Sequence, residues 1–143
     1  VVSAGERSRR DRRFGEIVGG SRLPCVVTVQ EDDGICEPRF EGRGRPRLHV
    51  RSPVDVEDAL TGLRRELERR GLLLLGNRFR RDAFVSSMAR QMSAGLACCL
   101  VSPGRPVDPE RIVDSLGPAP REAVVPEAEA AAYIRSWLAG FGG

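Results

Sequence analysis

Residues 72–101, LLLLGNRFRRDAFVSSMARQMSAGLACCLV, carry the reading of the fold. The segment opens on four consecutive leucines, Leu72 to Leu75, which Gly76 ends; a short, wholly apolar run bounded by a turn residue is what a strand buried on both faces requires. A polar loop follows, and Asp82 then stands where it can cap a helix in which Phe84, Met88 and Met92 line one side, a stripe that reads as core rather than as a methionine-rich binding groove. Gly95 stops that helix, and residues 96–101, LACCLV, again read as an all-apolar strand. Strand, helix and strand in this order predict a βαβ unit with parallel strands and a right-handed crossover.

Upstream, Ser52, Pro53 and Asp55 supply a capping hydroxyl, a proline at the first helical position and a carboxylate three residues after the cap. Val56, Leu60, Leu63 and Leu67 then recur at steps of four, three and four, so one helix face is apolar, and Gly71 closes the helix. Residues 47–51 alternate so that Leu48 and Val50 share a face while His49 faces away. Residues 23–30, LPCVVTVQ, read as a first strand, and residues 31–47 as a long charged excursion with a hairpin around Asp33 and Gly34. Beyond Val101, prolines forbid a continuous helix until a last one over residues 127–141, where Ala130, Ile134, Trp137 and Phe141 share a stripe and the tryptophan docks on the body. The expectation is a single small α/β domain over residues 23–143, with a βαβ core, a mostly parallel or mixed sheet of four to five strands and three main helices.

All 23 basic side chains are arginine, and Asn77 is the sole asparagine; with abundant Ala, Gly, Pro, Val and Leu, this resembles the product of GC-rich, bacterial-type codons. Arginine number alone therefore says nothing about partners. Residues 1–22 carry six arginines against Glu6, Asp11 and Glu16, while residues 23–143 carry 17 arginines and 17 acids, so the formal charge of +3 sits in the N-terminal part. With little apolar content, residues 1–22 are expected to be a disordered basic arm. Through Arg7, Arg9, Arg10, Arg12 and Arg13 it could make a weak, sequence-independent nucleic-acid contact. No apolar stretch backs these charges as a secretory signal would need, and no window reaches membrane-spanning length, so a cytoplasmic protein with no membrane contact is expected.

Cys25, Cys36, Cys98 and Cys99 lack metal-ligand spacing, and vicinal strand residues point to opposite faces; they read as ordinary buried thiols, with no metal and no cofactor implied. His49 has no nucleophile and orienting acid near it in sequence. The acidic residues Glu31, Asp32, Asp33 and Glu37 lack calcium-loop spacing and read as a solvated loop. The loop after Leu75 draws most interest. A glycine turns the chain at the end of a buried strand, Arg78, Arg80 and Arg81 follow with Asp82, and a helix begins with Ser86 and Ser87. Arginine forks and a helix start suit a phosphate or carboxylate, although the glycine-rich phosphate-binding motifs are absent. With one histidine, one tyrosine and no lysine, catalytic groups are scarce. The expected function is a small accessory or protein-interaction module, not an enzyme, that binds a protein partner or a small anionic ligand through residues 76–87. A small enzyme acting on a phosphorylated or nucleotide substrate is the alternative, and nucleic-acid binding through the arm is third.

Overall fold

The structure, a computed structural model, describes the backbone of residues 8–140 and the side chains of residues 10–140. Its eight strands are β1 (Ser8–Gly19), β2 (Ser21–Asp32), β3 (Ile35–Gly42), β4 (Leu48–His49), β5 (Leu73–Leu74), β6 (Ala83–Phe84), β7 (Ala97–Leu100) and β8 (Ile112–Asp114). Its helices are α1 (Val56–Arg69), α2 (Ser87–Ser93) and α3 (Glu127–Ala139). The strands form a five-stranded sheet in the order β4-β3-β2-β1-β5 and a three-stranded sheet in the order β6-β7-β8, and every pairing is antiparallel.

The expected parallel or mixed sheet and its βαβ unit are thereby overturned. The two apolar runs that suggested it lie in different sheets: β5 pairs with β1 through Ile17 and Leu74, whereas β7 pairs with β6 and β8. A crossover helix is required only when two parallel strands share a sheet, and here none do.

Residues 8–22 correct the expectation of a disordered arm. Ser8–Gly19 runs as a strand paired with β2 from Ser8 opposite Asp32 to Gly19 opposite Ser21, with Gly20 at φ 94° turning the chain between them. The inward positions of β1 include Asp11, Arg13 and Gly15, and only Ile17 among the described ones is a buried apolar residue. Its own pattern is therefore poor, and the backbone ladder to the apolar β2 supplies what the side chains do not. Arg13 reaches Asp11 at 2.8 Å and also bonds Asp114 of β8, so the one long inward charge is neutralised. Residues 1–7 lie outside the described residues.

The charged excursion holds strand β3. Cys36, Pro38 and Phe40 face the core while Glu37, Arg39 and Glu41 face outward, a period of two hidden by high charge. The hairpin turn falls where the sequence puts it, with Asp33 and Gly34 at φ 49° and 82°, as a type I′ turn demands. Helix α1 covers the inner face of the large sheet: Val56, Leu60, Leu63 and Leu67 are all buried against Ile17, Val27, Val29 and Phe40. Its cap lies three residues later than expected. Asp55 accepts from the Asp58 amide at 2.8 Å, while Ser52 is buried, bridges Cys36 in the sheet and donates to Asp58 at 2.7 Å.

Helix α2 is shorter than expected and does not use Asp82 as its cap; Ser86 caps it through the Ala89 amide at 3.0 Å. Phe84 belongs to β6, and Met88 and Met92 are exposed, so the supposed apolar stripe is not core. The helix ends with Ala94 in the left-handed region and Gly95 at φ 97°. A Cβ at Gly95 would lie 2.7 Å from the Glu57 backbone nitrogen, whose amide donates to Ala94 at 2.9 Å, so glycine lets this turn cap α1. Trp137 is buried with its ring 5.2 Å from that of Phe84, and its indole N–H donates to the Arg105 carbonyl at 2.8 Å. Ala130 is buried on the same helix, and Phe141 lies outside the described residues. No helix among the described residues is long and apolar enough to cross a membrane.

Candidate functional site

The arginines after Leu75 turn to partners within the protein. Gly76 leads into a single 3-10 turn, Asn77–Phe79, that drives Phe79 into the core and sends Arg78 toward the start of α1. There Nε of Arg78 donates to Oε2 of Glu57 at 2.7 Å and Nη2 bonds the other carboxylate oxygen. Burial alone would lower the Arg78 pKa, but the hydrogen bond and charge of Glu57 outweigh it and hold the guanidinium above its ordinary value. Arg80 and Asp82 are brought together in a second bidentate pair, at 2.9 and 3.1 Å, and Arg111 stands 3.8 Å from the same carboxylate. Arg81 is exposed and lies over the Tyr133 ring at 5.5 Å. Ser86 spends its hydroxyl on the cap of α2, and Ser87 is exposed at the first position of that helix. Of the six sequence-predicted residues, only Arg78 lines the cleft between α1 and α3.

That cleft, of about 480 Å³, lies between α1 and α3. Phe79, Ala83, Phe84 and Val85 form part of its lining, Arg64 and Arg65 stand on the α1 side, and Ala131, Ile134 and Arg135 on the α3 side. Size and composition fit a binding groove with an apolar bed and a few convergent polar groups.

A polar staple holds its two walls. The buried Arg64 donates to the carbonyls of Val125 at 2.7 Å and Phe79 at 3.2 Å and to Glu68 at 3.0 Å, and lies 5.4 Å from the Phe79 ring centre. Burial lowers its pKa, and the Glu68 carboxylate opposes that shift. Pro126 offers no side-chain cap to α3; Glu68 accepts the Glu127 amide instead, at 3.0 and 3.2 Å. Arg65 binds Glu127 at 2.9 Å from an exposed position. Arg135 has no partner among the described residues.

Sequence reasoning missed this cleft because its walls are 62 positions apart, as the Arg65 to Glu127 pair shows. One signal was present: Arg64 lies one position after Leu63 and three before Leu67, at the border of the apolar stripe where an arginine is set to be buried.

The four described cysteines are buried and unbridged, and no group of three or more His, Cys, Asp or Glu able to hold a metal occurs among the described residues. Cys98 packs with Ala83 and Leu100, and Cys99 with Val101 and Trp137, on opposite faces of β7. Burial pushes the Cys98 thiol up to about 11. His49 is exposed on β4 opposite Arg39, away from the cleft lining. No protein-family model matches the chain, and no curated protein is significantly similar to it in sequence.

Proposed function

We propose that the protein is a small accessory module that holds an acidic, partly apolar segment of a protein partner in the cleft between α1 and α3. One observation carries the reading: an apolar bed is rimmed by arginine from both walls, and Arg135 on the α3 wall has no carboxylate of its own among the described residues. The anion-binding role expected of residues 76–87 thereby passes to Arg65 and Arg135, while Arg78 and Phe79 contribute to the cleft lining. Arg65 is already paired with Glu127, but at an exposed site the pair is weak enough for an incoming carboxylate to exchange with it. An apolar residue flanked by acids would bury its side chain on Phe84 and Ile134 and meet Arg65 and Arg135 at the edges.

The test is selection from a random displayed-peptide library against the intact protein, followed by calorimetry. Selected peptides should combine aliphatic or aromatic residues with Asp or Glu. Ala131→Trp, which fills the exposed middle of the α3 wall, should remove their binding, and Arg135→Glu should weaken it at least tenfold. Peptides that bind both variants as well as the parent would overturn the proposal.

A further inference from the structure

The formal neutrality of residues 23–143 conceals an uneven distribution. Most carboxylates around the cleft and helix ends are committed to nearby arginines, such as Glu57 to Arg78, Asp82 to Arg80 and Asp55 to Arg90. At one end of the large sheet the opposite holds. Arg43, Arg45 and Arg47 follow β3, and none has a partner among the described residues. They line a shallow hollow of about 430 Å³ together with Phe14, Val26 and Glu41.

Register explains the assembly. Phe14 of β1, Val26 of β2 and Glu41 of β3 sit opposite one another across the outer face, so the start of the turn continues the row that carries the phenylalanine. Phe14 is 76% exposed, the second most exposed large apolar side chain described. The Arg12 guanidinium lies 5.3 Å from its ring centre, which puts a fourth cation on this surface. Glu41 is the one carboxylate in the hollow. The turn itself is built: the Arg45 backbone amide donates to the Gly42 carbonyl at 3.0 Å, Gly44 takes φ 70°, and the ring of Pro46 fixes its own φ and restricts the Arg45 backbone before it. The backbone that carries the arginines is thus fixed, which lowers the ordering cost of using them to that of the side chains alone.

We infer that this hollow binds single-stranded nucleic acid, with Phe14 as a stacking platform for a base and Arg43, Arg45 and Arg47 on the adjoining phosphates. An acidic peptide could satisfy the cations but has little use for an exposed ring on the outer face of an antiparallel sheet. Unpaired bases have a free π face, and phosphates are always present beside them; sheet-borne aromatics with arginine around them are a recurrent way to hold single strands. A duplex keeps its bases stacked and offers Phe14 nothing.

The test is fluorescence anisotropy on the full chain, titrated into a labelled oligothymidylate of about twelve nucleotides, a span within the usual single-strand site sizes. A duplex of equal length and an inorganic polyphosphate serve as comparisons. The single strand should bind in a salt-dependent manner and more tightly than either. The triple change of Arg43, Arg45 and Arg47 to Gln should make the log affinity against log salt slope shallower by about 2, at about 0.7 per phosphate contact. Phe14→Ala should weaken binding roughly tenfold or more with the slope unchanged, and Phe14→Tyr should keep it. Phe14→Leu keeps the apolar bulk and gives the same reading without the ring should Ala loosen the strand. Absence of binding at low salt, indifference to loss of the ring, or an unchanged slope in the triple variant would each overturn the inference. Equal binding of polyphosphate would reduce the hollow to a patch of unspecific charge and overturn it too. Ala131→Trp should leave this binding intact, so failure here is distinct from failure of the cleft.

Discussion

The loop at residues 76–82 and the turn at residues 42–47 each begin with glycine and each carry three arginines, yet their side chains end differently. In the first, Arg78 and Arg80 are consumed by Glu57 and Asp82, and Arg81 lies over an aromatic ring. In the second, no arginine has a partner among the described residues. The difference is the supply of carboxylates in space. Glu57 stands 21 positions before Arg78 but faces it across the start of α1, whereas the turn projects from the end of the sheet with Glu41 alone beside it. The pairs of the first loop are part of the fold, and the cations of the second are available to something else.

The largest effect that should separate the two is at Arg78. Arg78→Ala strands the buried Glu57 carboxylate and should cost about 3–5 kcal/mol in urea unfolding, while joint replacement of Arg78 and Glu57 by Leu should restore much of the loss. A loss below about 1 kcal/mol would erase the distinction, since it would make Arg78 as dispensable as the turn arginines. Next comes Arg80→Ala, which removes a half-buried, bidentate hydrogen-bonded pair and should cost about 1–2 kcal/mol by the same measurement.

A smaller contrast lies in the response to pH. The hydrogen bond from Arg90 holds the Asp55 carboxyl below its ordinary pKa, against the opposing effect of burial. A carboxyl with a depressed folded pKa adds stability above its unfolded pKa, near 4, and loses it as pH falls through the folded value. The melting temperature should therefore drop as pH is lowered below about 4, and Asp55→Asn, which keeps an able helix cap but no charge, should flatten that part of the curve. Changing Arg43, Arg45 and Arg47 to Gln should leave the acid limb as it is in the parent. The smallest effect is the stability of that triple variant itself, which should stay within about 0.5 kcal/mol of the parent at neutral pH. A larger loss would mean that the turn arginines hold the sheet together, and it would remove the basis for a binding role there.

Helix α1 was legible from its residues because four leucine and valine positions at helical spacing bury against whatever lies beneath them. Its cap was not: Ser52 and Asp55 both suit the role, and the choice fell to Asp55 because Ser52 is taken up by the bridge to Cys36. Strand β3 was readable in principle, since Cys36, Pro38 and Phe40 alternate with charged residues, but Gly, Pro and charge also describe a loop. Strand β1 could not be read from its own residues, because Asp11, Arg13 and Gly15 occupy inward positions that an amphipathic strand would fill with apolar side chains. The arginine content of the candidate loop is plain in its residues. Which of those arginines meet an acid depends on where the fold places Glu57 and Asp82.

The features written into the chain itself are local: the apolar face of α1 and the Asp33–Gly34 turn, whose residues accept positive φ. Each stems from a period or from a backbone preference that acts within a few residues. Long-range packing was needed to join the leucines of β5 to the N-terminal strand rather than to β7, and to enclose a cleft between α1 and α3. It also paired two arginines of one loop with acids and left those of a turn without a partner among the described residues. The reason is that strand partners and ion partners are chosen by proximity in space. An apolar run fits a parallel or an antiparallel neighbour equally well, and an arginine fits any carboxylate the fold brings within reach.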